Sequence, residues 1–496
     1  MAFIRSRLSA KWIQRESHFA TGLAGHLKAV ELALVIERTG SPRAARPSLT
    51  ARLAGQLRAA IEDGRLASGD RLPATRALAA GLGVSRTVVA AAYGQLFAEG
   101  WIEGRHGSGT YVTPGAAGRG GSVPAGPGLA RPDPATGPAG PGAPHPAPIE
   151  LRPGISWAAG INRAAWRRAW RVAGSYPPGA PADALGLAPL RHALTGYLRR
   201  ARGMACDAGQ VLVTRGVAAS IGLVASAVLR PGDEVGVEEP GYPAARAVLG
   251  ERGIRVIGCP ADENGLVVGS LPEGLRAVYT TPAHQYPLGG RLPVSRRHAL
   301  LDWARKHDAL VIEDDYDGEF RYDVAPLPTL FALDPQVVIY LGTTTKTLTP
   351  ALRTGWLVAR PDLVRVIAET AEVLGDRPTE AAQRAVLTLL GHGDLERHVR
   401  KMRHEYARRR AAACAALRGP TAARVVGDEA GLHLVLLTDR EPGAIAAAAA
   451  DQGVLVGTLD RYFAGEVTAS GLVLGYGGAS LPDVQQGCAI LAAIIG

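Results

Sequence analysis

Apolar residues recur at every fourth position in Leu49, Leu53, Leu57 and Ile61, which predicts an amphipathic helix that Gly64 ends. Pro73 opens a second helical stretch over 74–80, closed by Gly81-Leu82-Gly83-Val84. Ser85 then stands as the cap of a third helix, with Val89, Ala92, Tyr93 and Leu96 on one face and Gly100 as its stop. Two short runs, 101–103 and 110–112, flank the turn Gly104-Arg105-His106-Gly107-Ser108-Gly109 and predict a hairpin. Helices around a tight glycine turn, followed by a hairpin, predict a winged helix-turn-helix over 48–113.

Further along, the pattern changes. Apolar runs at 210–214, 234–237, 277–280, 310–313 and 337–341 read as buried strands, and helical spacing fills 217–229 and 296–306. Such alternation predicts an α/β unit over 149–496, with a mainly parallel sheet covered on both faces. Ligands of these sheets bind beyond the carboxyl ends of the strands, where the motifs at 281–289, 313–316 and 342–346 fall. Residues 114–148 are almost wholly Gly, Pro, Ala and Ser, a composition that cannot offset its ordering entropy by burial and predicts a linker. Residues 1–47 are left as an N-terminal extension and lead-in.

A chain of 496 residues with 47% hydrophobic and 20% charged residues fits a soluble protein of two or more domains. Cys206, Cys259, Cys414 and Cys488 are scattered without paired spacing, so neither disulfides nor a metal site are expected, and a reducing cytoplasm is the natural compartment. No apolar run approaches a membrane span, and the opening residues lack the apolar stretch of a signal peptide, so no membrane association is expected. The formal charge of +10 is uneven, with +5 in 1–47, +2 in 48–113 and +3 in the rest. That asymmetry favours a polyanion for the front of the chain, although a solvated basic surface explains charge alone equally well.

On the third helix, the face opposite the core presents Arg86, Thr87, Ala90 and Ala91. An arginine fork suits guanine edges, threonine suits a base or phosphate, and alanine allows close approach to a thymine methyl. Arg76 on the second helix would flank it on phosphate or a base, and Arg105 and His106 at the wing tip in the adjacent minor groove. Each cation alone reads as surface; together they lie on one side of a motif that docks duplex DNA. The unit resembles the GntR family of bacterial regulators in Gly69-Asp70-Arg71-Leu72-Pro73, Arg76-Ala77-Leu78-Ala79, Leu82 to Val88 and Tyr93…Leu96…Glu99-Gly100-Trp101. The resemblance implies operator contacts by Arg76, Ser85, Arg86, Thr87, His106 and Gly107.

Only five of the 55 Lys and Arg residues are lysines, and one of them, Lys346, sits in Gly342-Thr-Thr-Thr-Lys-Thr-Leu-Thr-Pro-Ala-Leu-Arg353 after a strand. Lysine forms a Schiff base and arginine does not. A pyridoxal 5'-phosphate (PLP) site needs an amine, a carboxylate against the pyridinium, a hydroxyl near the phenolate and a phosphate cradle. Lys346 supplies the amine, Asp314 the carboxylate and Tyr316 the phenol. Thr343, Thr345, Arg353 and the amides of the helix after Thr214-Arg215-Gly216 would hold phosphate, and Tyr242 would stack on the ring. The alternative for Glu313–Glu319 is an acidic loop or hard-cation site.

These residues resemble fold-type I aminotransferases, and more narrowly the MocR subfamily, which joins a GntR-type domain to an aminotransferase-like one. The resemblance rests on Thr281 to Gly289, Arg296-Arg297…Leu301…Trp303-Ala304, Ile312 to Tyr322 and the lysine segment, and covers most of 31–496. It implies a PLP-dependent transcriptional regulator that senses an amino compound or PLP, and a homodimer on spaced half-sites. The chain departs from aminotransferases where Tyr286-Pro287-Leu288-Gly289 replaces Asn-Pro-x-Gly, which puts Tyr286 beside the cofactor. Val473 and Ala244 stand where relatives carry carboxylate-binding arginines, so turnover is expected to be weak or absent. The competing class is an aminotransferase with an accessory DNA-binding domain; a third is a DNA-binding protein with a PLP-free domain.

Overall fold

The computed structural model describes residues 48–105, 108–114, 148–177, 179, 183–322, 328–418, 423–427 and 429–496. It divides into two compact units, one within Met1–Pro141 and one within Gly142–Gly496. The extension 1–47, nearly all of 114–148, and the wing-tip residues His106 and Gly107 lie outside the described residues.

The front unit runs helix Leu49–Glu62, helix Thr75–Leu82, helix Arg86–Ala98, then strands Ile102–Arg105 and Gly109–Val112 paired antiparallel. Leu53, Leu57, Ile61, Val89, Leu96, Ile102 and Val112 are buried together, so this unit has its own core. Leu49 does not join them: it is 39% exposed in the first helical turn, beyond the reach of the core. Gly83 adopts φ +62°, the left-handed turn that ends one helix and lets Ser85 start the next. The Ser85 hydroxyl accepts the Val88 N–H at 3.4 Å, which fixes the first turn of the third helix.

The back unit is built on an eight-stranded sheet in the order Val211–Thr214, Gly355–Val358, Val338–Thr343, Leu310–Asp314, Ala277–Thr280, Glu234–Glu239, Arg255–Asp262, Gly265–Leu266. The five strands from Val338–Thr343 to Arg255–Asp262 are parallel to one another. Gly355–Val358 is antiparallel to both its neighbours. Alternate side chains enter two separate cores: Val213, Val311 and Tyr340 pack with Leu194 and Leu300 on one face. Leu212, Ile312 and Leu341 pack with Ile221 and Ile367 on the other. Burial on both faces is why these strands read as unbroken apolar runs.

A second sheet, of Arg424–Val426, His433–Leu437, Gly471–Gly475 and Gly457–Thr458, is antiparallel throughout and was not singled out by the pattern. Among the described residues no helix is long and apolar enough to cross a membrane.

Candidate cofactor cavity and nucleic-acid face

Four of the parallel strands of the large sheet end at Glu239, Thr280, Asp314 and Thr343, and a cavity of about 390 Å³ opens beyond them. Lys346, Asp314, Tyr316, Tyr242, Tyr286, Thr343, Thr345 and Arg353 all line it. The Lys346 ammonium donates to the Gly154 carbonyl at 2.6 Å. Burial lowers its pKa, against the pull of Asp317 and Asp314, so a neutral amine is reached at lower pH than for a free lysine.

The acidic run 313–319 does not act as one cluster. Glu313 accepts the N–H groups of Leu330 and Phe331 at 2.8 and 2.9 Å and so caps a short helix. Asp315 is paired with Arg202 and accepts the Tyr340 hydroxyl at 2.7 Å. Glu319 accepts the Tyr197 hydroxyl at 2.6 Å and pairs with Arg202 at 2.7 Å. Asp317 meets His284 at 2.9 Å. Asp314 alone among these carboxylates lines the cavity. Its Oδ2 accepts the Tyr279 hydroxyl at 2.5 Å, while its Oδ1 is buried with no hydrogen-bond partner.

An unpartnered buried carboxylate oxygen is costly unless a donor or cation completes it. Burial accordingly raises the Asp314 pKa from 3.8 to about 7. A carboxyl held higher in the folded chain than in the unfolded one stabilises the fold fully below 3.8, and that contribution is lost as pH rises through about 7. The ligand-free protein is therefore expected to lose thermal stability relative to Asp314→Asn across that window. A difference between the two melting curves that stays flat with pH contradicts this.

Another part of the cavity lining suits an anion. Helix Val217–Val228 starts at Gly216, which adopts φ +100° and leaves the terminal N–H groups without a side-chain cap. The Thr343 and Thr345 hydroxyls lie 2.9 Å apart. Arg353 is held in left-handed backbone at φ +44°, and its guanidinium has no partner among the described residues. Strain of this sort at a cavity rim is characteristic of a ligand-binding position. An amine, an unpartnered acid and an uncapped helix start around one cavity fit the donor set that PLP requires.

Aromatic groups close the site. Tyr286 meets Tyr242 edge-on at 5.9 Å and Tyr316 at 5.5 Å. The Tyr316 hydroxyl and Asp317 Oδ2 both lie 2.9 Å from the same atom, Nδ1 of the buried His284. The motif 281–289 is largely a scaffold: buried Glu238 accepts the Thr281 hydroxyl at 2.6 Å, and Gln285 donates to the Pro240 carbonyl at 2.8 Å, which presents Tyr286.

On the front unit, Arg76, Ser85, Arg86 and Thr87 are exposed. Arg76 and Arg86 have no carboxylate partner among the described residues. Arg105 is different: it pairs with Glu103 at 2.9 Å and its guanidinium lies 4.8 Å over the Tyr111 ring.

The model of the family "Bacterial regulatory proteins, gntR family" matches residues 49–112. The chain is 36% identical over 430 residues to the HTH-type pyridoxine biosynthesis transcriptional regulator PdxR of Corynebacterium glutamicum, covering 87% of this chain and 92% of that one. It is 32% identical to the probable rhizopine catabolism regulatory protein MocR of Rhizobium meliloti, covering 87% and 90%. The chain belongs to the MocR-type GntR regulators. Its back unit is similar to Pyrococcus horikoshii kynurenine aminotransferase, with a TM-score of 0.65 and 26% identity over 70% of this chain and 90% of that one. This MocR-type chain is thus a transcriptional regulator that carries a winged helix-turn-helix and an aminotransferase-like domain.

Within this regulator, Val473 is fully buried among Val435, Leu459 and Tyr462, an apolar cluster against which Tyr286 packs. Sequence reading missed Tyr279, His284 and Asp317 as site residues. The first lies inside an apolar strand and the others in motifs whose mutual approach only the tertiary fold creates.

Proposed function

We propose that the regulator holds PLP on Lys346 and that occupancy of the cavity sets its affinity for an operator. The observation that carries this is the pairing, in one cavity, of the Lys346 amine with the unpartnered Oδ1 of Asp314. When bound, PLP supplies an aldehyde for a lysine amine and an electron-withdrawing ring. Asp314 would face the ring nitrogen, oriented by Tyr279. Thr343, Thr345, Arg353 and the amides after Gly216 would hold the phosphate. Tyr242 would stack on the ring, with Tyr286 edge-on to Tyr242 beside it.

Tyr316 would donate toward the phenolate, and His284 would position it. A proton on His284 Nδ1 would be shared between the Asp317 carboxylate and the Tyr316 oxygen. The tyrosine proton is then free to point into the cavity. His284→Gln and Tyr316→Phe are each expected to move the pH midpoint of the bound chromophore's absorbance, and the double variant to move it no further than Tyr316→Phe. Additive shifts contradict the positioning role.

The effector we favour is PLP itself. Neither Val473 nor Ala244 supplies a guanidinium, and Arg215 at the cavity is paired with Asp376, so among the described residues that line the cavity no arginine fork besides Arg353 of the phosphate cradle stands ready for an amino acid carboxylate. The relative named for pyridoxine biosynthesis supports the same choice. In this reading the protein acts in the cytoplasm as a homodimer, with 114–148 as the linker between its DNA-binding and sensing domains. Arg76, Ser85, Arg86, Thr87 and the wing with Arg105, His106 and Gly107 would contact the operator.

The test is binding of the purified protein to the intergenic duplex beside its own gene. Addition of PLP alone should change the affinity. If PLP has no effect and an amino compound added to the loaded protein does, the effector is that amine. Release of a keto acid with repeated turnover would support the aminotransferase reading.

A further inference from the structure

A second concave site, of about 540 Å³, lies in the back unit between Arg321–Tyr322 and the long helix Asp394–Leu417. Arg321, Arg403, Arg410 and Arg418 converge on it, with His404 and Tyr322, and no carboxylate residue is among the described residues that line it. Arg403, Ala407, Arg410, Ala411 and Cys414 follow helical spacing, so one face of the helix presents cations separated by small side chains.

Three arginines of this helix that point away from the site pair with acids, Arg397 with Asp394 at 2.6 Å and Arg408 and Arg409 with Glu405 at 3.4 and 3.1 Å. In the concave site, Arg403 and Arg321 bond to neutral groups instead. Arg403 donates to the Glu319 carbonyl at 3.0 and 2.8 Å, and Arg321 Nε to the Gly318 carbonyl at 3.3 Å. Arg321 Nη1 is buried with no hydrogen-bond partner. Backbone carbonyls satisfy donors without neutralising charge, and burial lowers the Arg321 pKa against the opposing pull of Asp315 and Asp317. A cavity that gathers guanidinium forks and leaves one buried donor unmatched is complementary to an oxyanion.

We propose that this pocket binds a small, multiply charged oxyanion bearing phosphate or carboxylate groups, at a site separate from the Lys346 cavity. Such binding does not depend on the cofactor reading. The pocket's position gives it a route to that cavity. The Tyr322 hydroxyl donates to the Gly431 carbonyl at 2.6 Å. Gly431 has φ +77°, and its backbone packs so closely on His284 and Asp317 that a Cβ there would overlap both. Tyr322, which carries the Arg410 guanidinium 5.2 Å over its ring, is therefore linked through one glycine to the group that holds Tyr316.

Calorimetric titration of the full chain with pyrophosphate and, separately, citrate, at ionic strength fixed with chloride, tests this. Saturable binding of one anion per chain is expected, in PLP-free and PLP-saturated protein alike, and the preferred probe identifies phosphate or carboxylate chemistry. Arg403→Gln, at an exposed position, should weaken it by at least roughly tenfold, as loss of a charge-assisted hydrogen bond implies. Arg321→Gln should do the same, and Lys346→Ala should leave it unchanged. Unaltered near-ultraviolet circular dichroism of Arg403→Gln keeps the comparison valid if Arg321→Gln does not fold. Binding that fails to saturate, that survives both arginine substitutions, that PLP displaces, or that duplex DNA displaces overturns the proposal.

Discussion

Lys346→Ala is expected to abolish covalent retention of PLP and to leave the fold intact. The Lys346 side chain is half-buried and bonds the Gly154 carbonyl, so truncation removes no apolar packing from either core of the back unit. What remains is a phosphate cradle and a carboxylate, which bind without the covalent link. A loss of about 100-fold in affinity, or about 2.7 kcal/mol, is the expected order. Absorbance of the protein after gel filtration reads it directly: wild type carries the chromophore through the column, and the variant does not. Retention of the chromophore by the variant would place the attachment elsewhere.

Arg86→Ala should act nearly as strongly, on the front unit. Arg86 opens the third helix on its exposed face, while the cap of that helix comes from Ser85, so the substitution leaves folding untouched. Discrimination between operator and random duplex should fall by roughly 1–3 kcal/mol for each base interaction removed. Arg105→Ala should cost less, because Glu103 and Tyr111 already engage its guanidinium in the free protein. Salt titrations separate the two roles, since removing a phosphate interaction lowers the slope of log affinity against log salt by roughly one, and removing a base interaction does not. Unchanged discrimination by Arg86→Ala contradicts the assigned docking face.

How far the fold could be read in advance follows from what each signal encodes. Strands such as Ala277–Thr280 and Leu310–Asp314 were legible because burial on both faces demands a run of apolar residues, broken only where the polar site residues begin at the strand ends. The third front helix was legible because cap, apolar face and glycine stop are all local. Spatial order is not local: nothing in the run 355–358 announces that it inserts antiparallel between Val211–Thr214 and Val338–Thr343. The same holds within the site. A lone lysine after a strand pointed to Lys346, and an acid at a strand end to Asp314. The separate duties of the neighbouring acids depend on partners far along the chain, such as Arg202 for Asp315 and His284 for Asp317. Tyr279 looked like one more apolar strand residue, although its hydroxyl orients Asp314.

The proposed sensing function would turn on a bond between one lysine and one aldehyde, which borohydride reduction of the PLP-loaded protein would make permanent and peptide mass mapping would locate. A single stable pyridoxyl-phosphate adduct is expected, on the peptide that contains Lys346, with Lys11, Lys28, Lys306 and Lys401 unmodified. A protein without an adduct at saturating PLP, or an adduct spread over several of those lysines, would contradict it.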